Sequence, residues 1–216
     1  MHHCKGISFL DMTRLIIRTC LGTALMLYSC LLLTAQEIAV YYDSGYVDNC
    51  NNNTCEAFTL DQFLNSLSYD TETFSGIDSV NFFNALSCKD VFFLPETEAG
   101  DFAANLTNEA KLVIQEFVTS GGLMFVMGSD GFNPNSSNSA RNLNSIFGFS
   151  INNDLFTSSG YSYLNNDASV GYLNSIPDSV RNFTTTNFIS NIPSGAEVLY
   201  QSIDGNNSVV DIPYGE

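Results

Sequence analysis

Histidine is almost absent from this chain of 216 residues, which contains only His2 and His3. Tryptophan is absent altogether, and seven Lys and Arg stand against 23 Asp and Glu, a formal net charge of −16. Three of the seven basic residues lie within the first 18 positions, so the residues after 35 carry four bases against 22 acids, a net of −18. This balance disfavours binding to nucleic acid or to anionic lipid, because both require clustered Lys and Arg.

Other missing features exclude further classes of site. Neither a G-x-G-x-x-G nor a Walker motif is present, which disfavours nucleotide binding. A zinc site is disfavoured because only three cysteines and no histidine follow residue 35. What the chain does contain is apolar: 44% of its residues are hydrophobic, including 17 Phe and 10 Tyr. Such a chain can build a core, so disorder is excluded.

The N terminus has the composition of a leader. An apolar run over residues 19–35 follows Arg14 and Arg18 and ends in a small residue, Ala35. We therefore predict a secretory signal peptide over residues 1–35, with Met12 as an alternative start. The run is shorter than the roughly 20 residues that cross a bilayer, so we expect cleavage rather than an uncleaved anchor. Residues 36–216 then form a secreted or cell-surface domain with no membrane span.

Export agrees with the cysteines and with the glycosylation signals. Cys50 and Cys55 bracket a polar loop, and we predict a disulfide between them. Cys88 is left over, because it precedes a strand about 17 Å long whose neighbour ends near Cys50, and a disulfide needs Cα atoms within about 7 Å. Five Asn-x-Ser/Thr triplets are candidate glycosylation sites, at Asn52, Asn105, Asn135, Asn182 and Asn206.

Strands and helices alternate between residues 37 and 148. Apolar runs predict buried strands at 37–43, 90–94 and 123–127, and a weaker strand at 70–74. Intervening helices begin at a capping box formed by Thr59 and Gln62, at Asp78 and at Thr107, and a fourth helix ends at Gly148. This order predicts an α/β fold with a doubly wound, mostly parallel sheet in three α/β/α layers.

The signals weaken after Ser150. A helix is predicted over residues 168–174, and a C-terminal β-hairpin is formed by residues 197–201 and 208–212 around Asp204-Gly205. Residues 213–216 indicate a turn that leads into another strand. We therefore expect the sequence to be incomplete at its C terminus.

Six segments carry a family resemblance: IAVYYDSGYVD, DVFFLPETEAGDF, FVTSGGLMFVMGSDGF, LNSIFGF, IPSGAEVLY and VVDIPYGE. Together they resemble the class I glutamine amidotransferase-like domains, and in particular the secreted branch without an assigned activity. The resemblance extends over nearly all of residues 37–216. It implies a flavodoxin-like α/β fold.

The catalytic residues of that family are not matched. Its catalytic members carry a nucleophilic cysteine in a G-x-C-x-G turn, which corresponds here to residues 127–131 and places Ser129 at the nucleophile position. A serine hydroxyl needs an adjacent base, and no histidine follows His3. The resemblance therefore implies an extracellular binding or accessory module without amidotransferase activity.

Polar residues at the carboxyl ends of the strands define a candidate ligand crevice: Asp43, Ser44, Glu96, Glu98, Ser129 and Asp130. Three interpretations stay open. In the first, the acids are turn residues, helix caps and solvated charges, and the chain holds no cofactor. In the second, Asp43, Glu96 and Asp130 bind calcium. In the third, Ser129 or these three carboxylates serve a hydrolase or a sugar-binding crevice. The expected partner is a small molecule, a glycan or a protein.

Overall fold

A computed structural model describes residues 36–49, 55–128, 139–156, 160–165, 177–182 and 186–215. Strands and helices alternate over the first part of this range, as the sequence predicts. The strands are β1 (Glu37–Tyr41), β2 (Asp70–Phe74), β3 (Val91–Leu94) and β4 (Leu123–Val126). The helices are α1 (Glu56–Ser66), α2 (Ser79–Leu86), α3 (Phe102–Asn105), α4 (Asn108–Thr119) and α5 (Ser139–Phe147).

The four strands form one parallel sheet in the order β2-β1-β3-β4. Ala39 of β1 is paired with Glu72 of β2 on one side and with Phe92 of β3 on the other. The chain therefore moves to one side of β1 first and then to the other, so that the winding reverses between β1 and β3. An α/β fold with a parallel sheet is confirmed.

Alternate side chains of β1 enter two separate apolar clusters, because successive residues of a strand point to opposite faces. Ala39 and Tyr41 belong to the larger cluster, together with residues of α2, α4 and α5. Ile38 and Val40 belong to a smaller cluster with Leu64 of α1. All four of these β1 residues are buried, which explains the continuous apolar run in the sequence.

Strand β4 departs from the prediction of a strand buried on both faces. Leu123 and Phe125 are 40% and 43% exposed, whereas Met124 and Val126 pack against the larger cluster. The cause is the position of α1. This helix packs against β1 and β2, at the edge of the sheet far from β4, and so does not cover Leu123 and Phe125. Phe125 is covered in part by Phe93 of β3, whose ring stacks on it at 4.7 Å.

The predicted caps of α2 and α4 are confirmed. Asp78 accepts a hydrogen bond from the Asn81 N–H at 3.0 Å, and Thr107 accepts one from the Ala110 N–H at 3.1 Å. The capping box at Thr59 is wrong. The cap of helix α1 lies four residues earlier, at Cys55, which makes no side-chain capping hydrogen bond.

The C-terminal part of the chain is antiparallel. Its strands are β5 (Asn152–Phe156), β6 (Gly160–Leu164), β7 (Ser179–Asn182), β8 (Thr186–Ser190), β9 (Glu197–Ser202) and β10 (Asn207–Asp211). One sheet has the order β10-β9-β6-β7, and β5 pairs with β8. The predicted hairpin of β9 and β10 is confirmed; β5 to β8 were not predicted from the sequence.

Several predictions fall on residues outside the described ones. These are the signal peptide over 1–35, the helix over 168–174, Cys50, Ser129 and Asp130. None of the described helices is long and apolar enough to cross a membrane.

The two described cysteines lie at opposite ends of the parallel strands. Cys55 follows β1 and is buried, whereas Cys88 precedes β3 and is exposed. Both are disulfide-bonded, so Cys88 is not the leftover thiol that the sequence indicated. Within the described residues no two cysteines form a pair, and the Cys50–Cys55 disulfide stays a prediction.

Lys89 joins the amino ends of three strands. Its ammonium lies 3.4 Å from the Glu37 carboxylate of β1 and 3.0 Å from the Glu72 carboxylate of β2, and its side chain is only 9% exposed. Burial alone would lower the pKa of Lys89. The hydrogen bond to Glu72 and the charges of Glu72 and Glu37 outweigh burial, and the pKa is raised above its ordinary value.

We expect Lys89→Met to lower the free energy of unfolding at pH 7 by less than about 1 kcal/mol, because both carboxylates are partly solvated. A group with a raised pKa stabilises the fold below its ordinary pKa of 10.5 and loses that contribution as the pH rises through the folded value. The difference from the wild type in urea unfolding should therefore close at alkaline pH. Lys111→Met, on the exterior of α4, is the control, and an equal effect of both variants would contradict the assignment.

Candidate functional site

The carboxyl ends of β1 and β3 lie side by side, because the two strands are parallel neighbours. The residues that follow them form two loops, which we call the β1 loop (residues 42–49) and the β3 loop (residues 95–101). This is the place where the winding of the sheet reverses and where open α/β sheets bind ligands. Four of the six candidate residues lie here: Asp43, Ser44, Glu96 and Glu98.

Asp43 uses both carboxylate oxygens to hold backbone. Its Oδ1 accepts a hydrogen bond from the Gly45 N–H at 2.9 Å, and its Oδ2 accepts one from the Gly76 N–H at 2.9 Å. Gly76 lies 33 residues away, in the turn after β2, and has a positive φ of 97°. The carboxylate thus closes its own turn and ties the β1 loop to the end of the neighbouring strand.

The β1 and β3 loops are in direct contact with each other. The Ala99 N–H donates a hydrogen bond to the Tyr46 carbonyl at 3.1 Å. Gly100 lies so close to Gly45 that a methyl group in its place would overlap the Gly45 carbonyl oxygen. Backbone of the two loops therefore fills space at the reversal point that the sequence had assigned to a ligand.

The β3 loop is also anchored to helix α5. The buried Asn142 amide donates a hydrogen bond to the Thr97 hydroxyl at 3.0 Å, and Arg141 forms an ion pair with Asp101. Asp101 in addition caps α3 by accepting from the Ala104 N–H at 3.0 Å. Sequence reasoning missed this set. The signal available was Arg141, one of only four basic residues after residue 35.

Among the described residues, two buried side-chain atoms make no hydrogen bond of ordinary geometry, the Asn142 Oδ1 and the Tyr41 hydroxyl, although the Tyr41 hydroxyl lies close enough to the Asp43 carboxylate to interact with it. Tyr41 ends β1 and lies beneath the β1 loop, with its ring 5.1 Å from Phe102 and 5.4 Å from Phe74. Burial raises the pKa of Tyr41 far above its ordinary value, and the nearby Asp43 carboxylate raises it further. The hydroxyl is therefore neutral at any physiological pH.

The remaining predicted site residues have mixed outcomes. Ser44 is exposed on the β1 loop, and Glu96 and Glu98 are half-buried on either side of the buried Thr97. Ser129 and Asp130 lie outside the described residues, so their convergence with Asp43 stays a prediction. In the part of the chain that is described, no group of three or more His, Cys, Asp or Glu side chains is arranged to hold a metal ion.

Three of the five glycosylation signals lie on described residues. Asn105 ends α3, Asn182 ends β7, and Asn206 lies between β9 and β10. The Ser208 hydroxyl of the last triplet contacts the buried Ser162 hydroxyl across the sheet. Asn52 and Asn135 fall outside the described residues, and use of all five signals stays a prediction.

We expect Asp43→Ala to lower the free energy of unfolding by about 1–3 kcal/mol, because two backbone N–H groups lose their acceptor. Asp43→Asn should cost less, since one oxygen remains. Urea unfolding of the purified chain provides the measurement, with the exposed Asp70→Ala as a control expected to stay within about 0.5 kcal/mol of wild type. If Asp43→Ala unfolds with the same free energy as the wild type, Asp43 does not hold the loops.

Tyr41→Phe tests the buried hydroxyl. Removing a buried hydroxyl that makes no hydrogen bond of ordinary geometry to a described residue should raise the free energy of unfolding by about 1 kcal/mol. Because the pKa of Tyr41 is raised in the folded state, the wild type is stable below pH 10 and loses stability as the unfolded tyrosine ionises above that value. The variant should lose less than the wild type in this range. Tyr163→Phe, at a half-exposed position, is the control. If Tyr41→Phe is less stable than the wild type, the Tyr41 hydroxyl forms a hydrogen bond and the prediction is wrong.

No protein-family model matches the chain, and no curated protein is significantly similar to it. The likeness to amidotransferase-like domains therefore depends on the six sequence segments that suggested it.

Proposed function

We propose that this chain is an exported binding module, built on a three-layer, doubly wound domain of the class I glutamine amidotransferase-like type. The order β2-β1-β3-β4 is that of flavodoxin-like sheets. The two apolar clusters, one on each face of β1, are consistent with helices in two outer layers. These features support the proposed fold at a finer level than its α/β class.

The observation that carries the functional proposal is the bonding of Asp43. A carboxylate whose two oxygens accept backbone N–H groups of Gly45 and Gly76 has a structural task. Acting as a base would require it to give up at least one of these bonds. The contact of the β1 and β3 loops supports the same conclusion, because it leaves less room for a substrate at the reversal point.

The chain composition supports export and a binding role. The predicted leader, the glycosylation signals and the net charge of −16 are typical of a secreted acidic domain. Amidotransferase chemistry would need a Cys or an activated Ser with an imidazole base, and the chain supplies no histidine after His3. The partner we propose is a small molecule, a glycan or a protein held by contacts rather than by covalent chemistry.

A hydrolase is the competing hypothesis, and it depends on Ser129 or on the carboxylates Asp43, Glu96 and Asp130. The hydrolase and binding-module hypotheses are distinguished by an assay of glutamine and ester hydrolysis. The assay compares the full chain, the Ser129→Ala variant and a variant in which the three acids are replaced by their amides. Ser66→Ala on α1 is the matched serine control. We expect no turnover above the protein-free rate for any of these proteins.

Turnover by the wild type that Ser66→Ala keeps and Ser129→Ala loses would overturn the binding-module proposal in favour of the serine hydrolase. Turnover lost only in the triple variant would favour the carboxylates. A ligand of the folded state raises the melting temperature by mass action. Since the binding-module proposal includes no calcium site, calcium and then EDTA should each move the melting temperature of the same preparation by less than about 1 °C. A larger rise with calcium that Asp43→Asn abolishes would establish the cation site.

A further inference from the structure

Strand β6 exposes its large side chains and buries a small polar one. Tyr161 and Tyr163 are each 51% exposed, whereas Ser162 between them is fully buried and contacts the Ser208 hydroxyl. Successive residues of a strand point to opposite faces, and a strand of a half-buried antiparallel sheet ordinarily turns its apolar residues toward the core. The inverted order of β6 therefore places two neighbouring tyrosines on the solvent face of the C-terminal sheet.

Uncharged polar side chains share this face. Tyr163 is the direct partner of Ser179 of β7 on one side and of Gln201 of β9 on the other. Gln201 is in turn the partner of Asn207 of β10. Directly opposite residues of an antiparallel pair project from the same face. A row of hydroxyl and amide groups therefore crosses the sheet at the level of Tyr163.

The amide of Gln201 is held in place by its neighbours. Its Nε2 donates a hydrogen bond to the Asn207 Oδ1 at 3.0 Å, and the Asn207 Nδ2 donates one to the Ile189 carbonyl of β8 at 3.0 Å. These bonds orient both amides before a ligand arrives. Because an amide oxygen accepts hydrogen bonds, the Gln201 Oε1 is an acceptor group next to Tyr163 in the sheet.

The spacing of the two tyrosines favours an extended occupant. They are two residues apart on one strand, which separates their Cα atoms by about 7 Å at about 3.3 Å per residue. The register of β6 with β7 continues without a break from Gly160 to Tyr163. The two side chains therefore stand side by side along a regular stretch of sheet, where two consecutive rings of a chain could each contact one tyrosine.

The composition of the face determines the chemistry of the occupant. A tyrosine ring has an electron-rich face, which attracts the slightly positive C–H groups on the face of a sugar ring. The hydroxyl and amide groups beside Tyr163 match the hydroxyl groups at the rim of the same sugar. A purely apolar partner would cover these polar groups without bonding them, at a cost in free energy. A glycan offers both kinds of surface on every ring.

Charge favours a neutral glycan over an acidic one. The chain carries a formal −16, which repels polyanions. Within the described strands of this sheet, the only basic residue is Arg181, the register partner of Tyr161, and it stands against the acidic pair Glu197 and Asp211. A neutral chain meets no such repulsion.

We propose that the face of β6 formed by Tyr161 and Tyr163, the tyrosine face, binds a neutral, extended glycan chain with one sugar ring on each tyrosine. This inference rests on the proposed function, since it names one partner class of the binding module. Ser179 and Gln201, on either side of Tyr163, would form hydrogen bonds with hydroxyls of the sugar stacked there. No bond of the glycan is broken.

The test is isothermal titration calorimetry of the full chain with cellohexaose and chitohexaose, two neutral glycans whose β-linked chains are extended. Two control ligands differ from cellohexaose in one property each. Maltohexaose has the same sugar in a coiled chain, and cellohexaose oxidised at its primary hydroxyls is extended but acidic.

The variants separate the ring from the hydroxyl group. Tyr161→Ala and Tyr163→Ala each remove one ring, whereas Tyr161→Phe and Tyr163→Phe keep it. Tyr69→Ala, at a 37% exposed position before β2, is the matched control. The melting temperature of each variant is measured alongside. In the wild type, which needs no substitution, the NMR signals of the Tyr161 and Tyr163 rings should shift on titration and that of the Tyr69 ring should not.

We expect saturable binding of at least one of the two neutral chains, weakened at least tenfold in both Ala variants, the equivalent of about 1.4 kcal/mol. The Phe variants and Tyr69→Ala should bind nearly as the wild type does, because stacking requires the ring. Maltohexaose and the oxidised chain should bind more weakly. Failure of both neutral chains to bind, an equal loss in Tyr69→Ala, or tighter binding of the oxidised chain would overturn the proposal.

A dimer in sedimentation velocity that Tyr163→Ala dissociates would also overturn the proposal, since a second copy would then cover the tyrosine face. The binding module itself is tested by the hydrolysis assays. Absence of glycan binding together with absence of turnover refutes the tyrosine face alone, whereas turnover refutes the binding module, so the two failures are distinguishable.

Discussion

The carboxylate of Asp43 holds together the part of this molecule where a ligand would be sought first. By accepting from Gly45 and from Gly76, it fixes the loop after β1 against the loop after β2. The β3 loop then packs onto this arrangement through Ala99 and Gly100. Because backbone N–H groups that lose their acceptor cost free energy, removing this one side chain would loosen three loops at once. Asp43, one of the candidate ligand-binding acids of the sequence, is thereby explained by loop geometry.

The contact of the β1 and β3 loops leaves less room for a ligand at the reversal point. The antiparallel sheet, by contrast, turns Tyr161 and Tyr163 toward solvent and buries Ser162 between them. Neighbouring exposed aromatic residues are typical of binding surfaces. The proposed glycan face therefore lies on the C-terminal sheet, whereas the candidate acids lie at the ends of the parallel strands.

Short buried strands and capped helices could be predicted from the sequence because their signals are local. Strand β1 has a continuous apolar run, and Asp78 and Thr107 stand directly before the helices that they cap. The half-exposure of Phe125 could not be predicted, because it depends on where α1 lies over the sheet. The four-residue helix α3 and the strands β5 to β8 were missed, since Asn, Ser and Thr give them little apolar alternation. Asp43 was identified as a strand-end acid, but its bond to Gly76 depends on strand pairing across 33 residues.

The most direct measurement of the central claim is amide hydrogen exchange at Gly45 and Gly76, by NMR of the wild type and of Asp43→Ala. If Asp43 is a structural group, both amides are protected in the wild type and exchange faster in the variant, while the amides of α4 keep their protection. If Asp43 instead presents its carboxylate to a substrate or to a cation, the two amides exchange rapidly in the wild type already and the substitution changes neither of them. That second result would contradict the account.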